Sequence, residues 1–387
     1  MDTDINIVLA GIGGYGSHYV RSLLKREKEG NIRMIALVDP GAAKSPDFPL
    51  VADRPIYADL GECLGRHPAD LVILSSPIQY HAEQILLALE HGAHVLCEKP
   101  LCATRQQGLV LIAAQKASGR QVGIGYQWSY SPAILSARSD IRSGLYGEPV
   151  ALRTRVYWPR SQAYFSRNKW AGRLYADDAR PVFDSVLNNA TAHYLHNMLF
   201  FLGEGEYDAA IPERIEARLM RAYAIETFDT ALVHMEKDLP GGRTADLALA
   251  VSHCPENLLD PALDYQYTKG RLLTRDGRLI GMRSDKTGNE VTFDYGPITG
   301  SDPVAEKIDA LIASAAAGAR PPCDIATAYA QTAVVAAVHE QAEIETAAAS
   351  VIRRTIRDGT EWLAVAGLDQ VMDRFVDTLQ LPDRLAD

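Results

Sequence analysis

The sequence predicts an α/β fold, a doubly wound parallel sheet followed by a second domain, and three observations carry that expectation. An apolar strand-like run, Ile5-Asn6-Ile7-Val8-Leu9-Ala10, passes directly into Gly11-Ile12-Gly13-Gly14-Tyr15-Gly16 and then a helical stretch. Short apolar runs alternate with helical ones as far as Tyr126, which is the pattern of repeated strand-helix units. With 387 residues and 42.3 kDa, the chain is also too long for one ordinary core.

In the first strand-turn-helix, Gly11 permits the tight turn, Gly13 lets backbone amides approach a pyrophosphate, and Gly16 lets the helix pack close to the strand. A glycine loop alone is weak evidence. Here a second strand over 34–38 ends in Asp39, 23 residues beyond Gly16 and close to the distance at which a carboxylate meets a ribose. Asp39 accepts from both ribose hydroxyls and repels a 2′-phosphate, which favours NAD over NADP; Lys44 keeps NADP open. The plain alternative, a turn-forming Asp-Pro-Gly, leaves the matching glycine loop unexplained.

The alternation continues with a strand over 69–77, a helix over 80–90, a strand over 93–97, a helix over 104–118 and a strand over 121–126. In such a sheet, ligands bind outside the carboxyl ends of the strands. Ser75-Ser76-Pro77 and Glu98-Lys99-Pro100 both close strands there, and Lys99 brings an ammonium group to that edge. A solvated loop lysine is the ordinary alternative for Lys99.

Composition narrows the partner. Forty-nine acidic against 39 basic side chains leave a net charge of -10, which disfavours nucleic acid or an anionic membrane as the partner and leaves a small molecule. The five cysteines are scattered, with neither a disulfide framework nor a zinc knuckle in their spacing, so a reducing compartment, the cytoplasm, is expected. Polar Met1-Asp2-Thr3-Asp4 leads straight into a strand-like run, so secretion is not expected, and no apolar run is long enough to span a membrane.

The runs Ser76-Pro77-Ile78-Gln79-Tyr80-His81, Ala88-Leu89-Glu90-His91-Gly92-Ala93-His94-Val95 and Glu98-Lys99-Pro100 together resemble the Gfo/Idh/MocA family of NAD(P)-dependent oxidoreductases. Ser76, Ile78 and Ala93 depart from the family pattern, which has threonine, asparagine and lysine there. The resemblance implies that the loop residues Ile12, Gly14 and Tyr15, with Ser75, Ser76, Pro77, His81 and Glu98, line the cofactor, and that Lys99 lies by the nicotinamide and the substrate hydroxyl. It also implies a second domain with an open, mainly antiparallel sheet, and assembly into a homo-oligomer, dimer or tetramer.

That domain is expected from 128 to 345, after a dinucleotide-binding domain over 1–127; helices over 303–317 and 325–342 pack back on the body, and 346–387 form a tail. Trp158, Arg160, Tyr164, Arg167 and Trp170 crowd aromatics and arginines into a stretch without regular period. Aromatic faces stack on sugar rings and arginines bind hydroxyls or carboxylates, so this reads as a substrate wall; a surface loop anchored by its own aromatics has even standing. Gln127-Trp128 stands where the family often has an arginine and joins the expected substrate contacts.

The family's helical Asp-x-Gly-x-His motif aligns with Asn189, Thr191 and His193, placing positions 189 and 193 on one helix face. By the resemblance His193 is the acid/base, since an imidazole titrating near neutrality suits removal of a hydroxyl proton. Asn189 cannot stabilise an imidazolium as a carboxylate does, and Asp184 is a candidate substitute. The spacing of His193 and His196 permits a metal, but no third ligand is positioned, so none is expected and His196 reads as a core histidine.

The expected function is an NAD(P)-dependent oxidoreductase moving a hydride between nicotinamide and a secondary hydroxyl or keto carbon of a sugar, cyclitol or related polyol. A transient-redox glycoside hydrolase and a cofactor-binding regulatory protein without turnover, the latter suggested by Asn189, are the alternatives.

Overall fold

The computed structural model describes residues 4–284 and 287–386. From the amino terminus run β1 (Ile5–Ala10), α1 (Gly16–Glu29), β2 (Ile32–Val38), β3 (Ile56–Tyr57), α2 (Leu60–Arg66), β4 (Leu71–Leu74), α3 (Ile78–Glu90), β5 (His94–Cys97), α4 (Arg105–Ser118) and β6 (Val122–Ile124). Then come α5 (Pro132–Arg142), β7 (Pro149–Tyr157), α6 (Gln162–Phe165), α7 (Ala192–Phe201), β8 (Arg214–Arg221), β9 (Thr230–Leu239), β10 (Arg243–Ser252) and β11 (Leu259–Tyr267). The chain closes with β12 (Gly270–Arg275), β13 (Arg278–Ser284), β14 (Glu290–Pro297), α8 (Pro303–Ala317), α9 (Ile325–Gln341), β15 (Ile344–Thr346), β16 (Ile352–Arg357), β17 (Thr360–Val365) and α10 (Leu368–Thr378).

Local chemistry accounts for many of these boundaries. Thr104 and Gln107 form a reciprocal capping box that starts α4, and Gly119 ends it in the left-handed region. Positive φ at Gly241 and Gly242 turns β9 into β10, as Asp276 and Gly277 turn β12 into β13. Residues 265–273 form a hairpin, in which β11 ends at Tyr267 and Gly270 pairs back with it.

The chain divides into two compact units, Met1–Tyr130 with Gly300–Tyr329, and Ser131–Thr299 with Ala330–Asp387. In the first, six parallel strands lie in the order β3-β2-β1-β4-β5-β6, the doubly wound arrangement. Here the expected domain limits need correction, because residues 300–329 return to this unit. The reason is apolar burial: Val304, Ile308 and Leu311 of α8 share one core with Ile7, Leu9 and Ile73 of the strands and Val20 and Leu23 of α1.

The second unit holds nine strands in the order β14-β13-β12-β11-β7-β10-β9-β8-β15, antiparallel except for the pairs β10–β7 and β15–β8. Residues 346–387 belong to it rather than standing apart. Met372, Phe375 and Val376 on the apolar face of α10, with Leu363 and Val365 of β17, cover Tyr157, Leu232, Ala248 and Ala250 of the sheet. Polar contacts fix the register, since Asp373 accepts from Arg155 and from the Tyr157 hydroxyl, each at 2.9 Å.

Phe375→Ala is expected to cost about 3–5 kcal/mol through lost burial and a residual cavity, while Arg374→Ala, on the exposed face of the same helix, changes stability by less than about 0.5 kcal/mol. Urea unfolding of the two variants measures the difference; equal effects would show that α10 does not seal this core.

Candidate active site

The residues expected to hold a dinucleotide lie in the first unit, where the strands end. Gly11 has φ +84°, and a Cβ there would sit 2.5 Å from the Ser75 carbonyl oxygen; one on Gly16 would sit 2.2 Å from the Gly11 carbonyl oxygen. Both positions therefore require glycine for backbone packing. A Cβ on Gly13 meets nothing within 4 Å, so the space beside that backbone is open. Asp39 is tied to the loop, because its two carboxylate oxygens accept from the Ile12 amide at 3.0 Å and the Gly41 amide at 2.7 Å. An open amide-lined loop at a helix start with a carboxylate fixed beside it fits a dinucleotide.

Three residues expected to line the cofactor have other work. Glu98 is buried, accepts from the Tyr19 hydroxyl at 2.7 Å and forms an ion pair with Lys307, whose side chain is wholly buried. Burial pushes the Glu98 carboxyl upward, but the Lys307 charge and the hydrogen bonds from Lys307 and Tyr19 outweigh it and hold it below the usual range. His81 is also buried, with one ring nitrogen 2.8 Å from the Pro100 carbonyl and the other 2.9 Å from that of Ser76, so it braces the two strand-end loops against each other. The Ser76 hydroxyl donates to Gln84. Lys99 is half-buried immediately after this brace, and its amide donates to Glu98 at 3.3 Å. Trp128, expected among the substrate contacts, is 6% exposed and sits in the core, with Gln127 half-buried beside it.

Lys307 was not singled out from the sequence, although a signal exists. It falls on the same helix face as Val304, Ile308 and Leu311, and a lysine on an apolar face needs a buried anion. The rings of Tyr15 and Tyr19 each lie 5.0 Å from its ammonium group.

The remaining expected residues lie in the second unit. The single helix expected through 189 and 193 is in fact a π-helical turn, Val186–Ala190, followed by α7, with Thr191 at the junction at φ -107°. Residues 189 and 193 therefore do not share one regular helix face. The break is held by side chains: the Thr191 hydroxyl donates to the Val186 carbonyl at 2.7 Å, and Ser185 caps the turn by accepting from the Asn188 amide. Asn189 donates to buried Asp184 at 2.7 Å, and Asp184 also accepts from the Gly172 amide at 2.8 Å. Asp184 is thus directed to the residue that occupies the aspartate position of the motif. His193 is half-buried in the first turn of α7.

His196 is 1% exposed and stacks on Phe200; burial, then the Arg138 charge, pulls its pKa down to about 3, which keeps it a neutral core residue. Among the described residues, the three-membered grouping of metal-ligating side chains is His234, Glu236 and Asp246, away from His193 in sequence and with Glu236 already paired to Arg214.

The aromatic and arginine stretch does come together. Trp158 meets Tyr194 edge-on at 5.5 Å, Arg160 lies over both Trp158 and Tyr164, and Arg167 lies over Tyr164 at 3.8 Å and Trp170 at 5.3 Å. Arg167 also faces Asp184 at 3.6 Å, which links this stretch to Asn189.

Fold and strand-end loop define a dinucleotide-binding protein of the doubly wound class. Residues 5–126 match the model of the Gfo/Idh/MocA oxidoreductase family, NAD-binding Rossmann fold. An inositol 2-dehydrogenase of Acidothermus cellulolyticus is 30% identical over 150 residues, 38% of this chain and 44% of the relative. The chain spans about half the length of the curated relatives it matches. Two solved structures share the fold. An Agrobacterium radiobacter oxidoreductase in complex with NAD+, L-tartaric acid and magnesium has a TM-score of 0.69 at 17% identity, over 87% of this chain and 96% of that one. A levoglucosan dehydrogenase in complex with NADH and levoglucosan has a TM-score of 0.70 at 15% identity, over 87% and 97%.

Two outcomes follow from this geometry. Gly13→Ala is expected to fold normally and to weaken NADH binding at least about tenfold, measured by nicotinamide fluorescence, whereas Gly11→Ala collides with the Ser75 backbone and lowers the melting temperature. Lys307→Met leaves Glu98 buried without its cation and is expected to cost about 3–5 kcal/mol at neutral pH. Because the folded carboxyl titrates below its ordinary value, the wild-type stabilisation is present above about pH 4.5 and is lost as pH falls through the lowered folded value. The gap between wild type and variant in urea unfolding should therefore narrow in acid; a constant gap would argue against the ion pair as its source.

Proposed function

We propose that the chain is an NAD-dependent oxidoreductase that moves a hydride between nicotinamide and the secondary hydroxyl or keto carbon of a sugar, cyclitol or related polyol. The observation that carries this reading is Asp39 held by the Ile12 and Gly41 amides beside an open glycine loop, on the same sheet edge at which β5 delivers Lys99. A carboxylate so oriented recognises ribose hydroxyls and repels a 2′-phosphate, which supports NAD over NADP.

Bound NAD supplies the hydride acceptor. Oxidation of an alcohol also releases a proton from oxygen, and His193 takes it on an imidazole nitrogen. The Lys99 ammonium group, a hydrogen-bond donor, serves to stabilise negative charge on a substrate oxygen. The brace of Glu98, Lys307 and His81 orients the backbone from which Lys99 projects. Asn189, held by Asp184, orients substrate hydroxyls in place of a carboxylate. The names of the relatives, inositol 2-dehydrogenase and levoglucosan dehydrogenase, support a polyhydroxylated substrate. Assembly into a homo-oligomer and a cytoplasmic location belong to the same proposal.

Lys99→Ala and His193→Ala are each expected to lower kcat by about 10²–10⁴ on the best substrate of a sugar and cyclitol panel, while NADH affinity in His193→Ala stays within about twofold. Nicotinamide absorbance and fluorescence read the two quantities. Full turnover in either variant would remove its assigned role, and release of an aglycone without net NADH would favour a transient-redox hydrolase instead.

A further inference from the structure

Arg160 differs in its setting from three arginines near it in sequence, Arg155, Arg167 and Arg173. Arg155, Arg167 and Arg173 face carboxylates at 2.9, 3.6 and 2.7 Å respectively. Among the described residues, no carboxylate pairs with Arg160, and its Nε is buried without an acceptor. Its guanidinium carbon lies 5.5 Å from the Trp158 ring centroid and 5.2 Å from that of Tyr164, an arrangement in which the aromatics engage the guanidinium and its remaining N–H groups stay available as donors. Asp260 is exposed and accepts from the Trp158 indole N–H at 3.0 Å.

The backbone carrying Arg160 is pinned from two directions. Its amide donates to the His253 carbonyl at 3.0 Å, and its carbonyl accepts from the Tyr223 hydroxyl, which in turn accepts from the Leu363 amide of β17 at 2.8 Å. The next residue, Ser161, bridges to Trp362 of the same strand. His253 packs against Tyr164 at 5.3 Å and stays neutral: burial is the main cause, opposed by the Trp158 carbonyl and reinforced by Arg160 and Arg167, and its pKa is pulled down to about 3. The neighbourhood therefore presents a guanidinium without a directly paired carboxylate on a fixed backbone. Trp158, which Arg160 overlies, also contacts Tyr194, the residue after His193.

We propose that Arg160 is a specificity determinant that binds the carboxylate of an acidic sugar or cyclitol through its guanidinium edge. This rests on the oxidoreductase reading above and narrows its substrate class from polyols to polyhydroxy acids. A carboxylate rather than a phosphate is favoured by charge: one unpaired guanidinium matches one negative charge, and the second arginine of the stretch, Arg167, is committed to Asp184.

The test uses the full chain with NAD and three neutral and acidic pairs: D-glucose and D-glucuronate, D-galactose and D-galacturonate, D-mannose and D-mannuronate, with D-glucose 6-phosphate added. In at least one pair, kcat/KM is expected to favour the acid by about tenfold or more. Arg160→Gln should reduce that preference to within about threefold, through KM rather than kcat and without lowering the melting temperature, and Arg160→Lys should retain part of it. Calorimetric titration of the same compounds into the NADH complex reads binding without turnover. Acid binding that depends on Arg160, with no NADH formed from any compound, would keep the subsite and overturn the oxidoreductase reading. Equal use of neutral and acidic partners, preference for the phosphate, or an unchanged preference in Arg160→Gln would overturn the subsite and leave that reading standing.

Discussion

At the end of β5 a carboxylate and an ammonium group with almost no access to solvent, Glu98 and Lys307, meet with the Tyr19 hydroxyl as a third partner. Neither charge is tolerable there alone, because a buried ion without its partner loses hydration that nothing replaces. The pair therefore makes three placements mutually dependent: the strand-end loop that carries Lys99, helix α1 behind the glycine loop, and helix α8 from the far end of the sequence. It also explains Gly125, where a Cβ would lie 2.8 Å from a Glu98 oxygen. Such pairs contribute little net stability relative to apolar packing, and their effect here is to select one arrangement of the loops around the strand ends.

A comparable logic operates in the second unit with hydrogen bonds in place of a full ion pair. Asp184 gathers Asn189, the Gly172 amide and Arg167, and Thr227 closes the group by donating to the Asp184 carbonyl at 2.7 Å. The carboxylate missing from the motif position has therefore not vanished from the neighbourhood; it reaches that position through an amide. The hairpin β16–β17 adds a second support, since its backbone contacts hold Tyr223 and Ser161 and so the stretch that displays Trp158 and Arg160. A carboxyl-terminal segment without chemistry of its own thereby becomes part of how the aromatic and arginine stretch is shaped.

Much of the first unit was legible because its signals are local. A glycine loop between a strand and a helix, a carboxylate at the next strand end and a capping box at Thr104 all depend on residues within a few positions of one another. The roles of Glu98, His81 and Trp128 were not legible in the same way. A polar or aromatic residue at a strand end is equally compatible with facing a ligand or with bracing the fold, and only its distant partners, Lys307 and Pro100 among them, separate the two. The π-helical turn before His193 was hidden for a similar reason, since helical periodicity does not register one extra residue per turn.

The sequence by itself determined the class of the first unit, the family model that residues 5–126 match, and the set of residues from which a site could be built. These follow from period, turn chemistry and motif spacing, which are properties of neighbouring residues. Only the tertiary structure decided that residues 300–329 return to the first unit, that 346–387 seal the second sheet, and which charges are paired. Those outcomes depend on burial and on partners far apart in the chain, where the cost of an unmatched charge or an exposed apolar face is settled by contacts that no local pattern encodes.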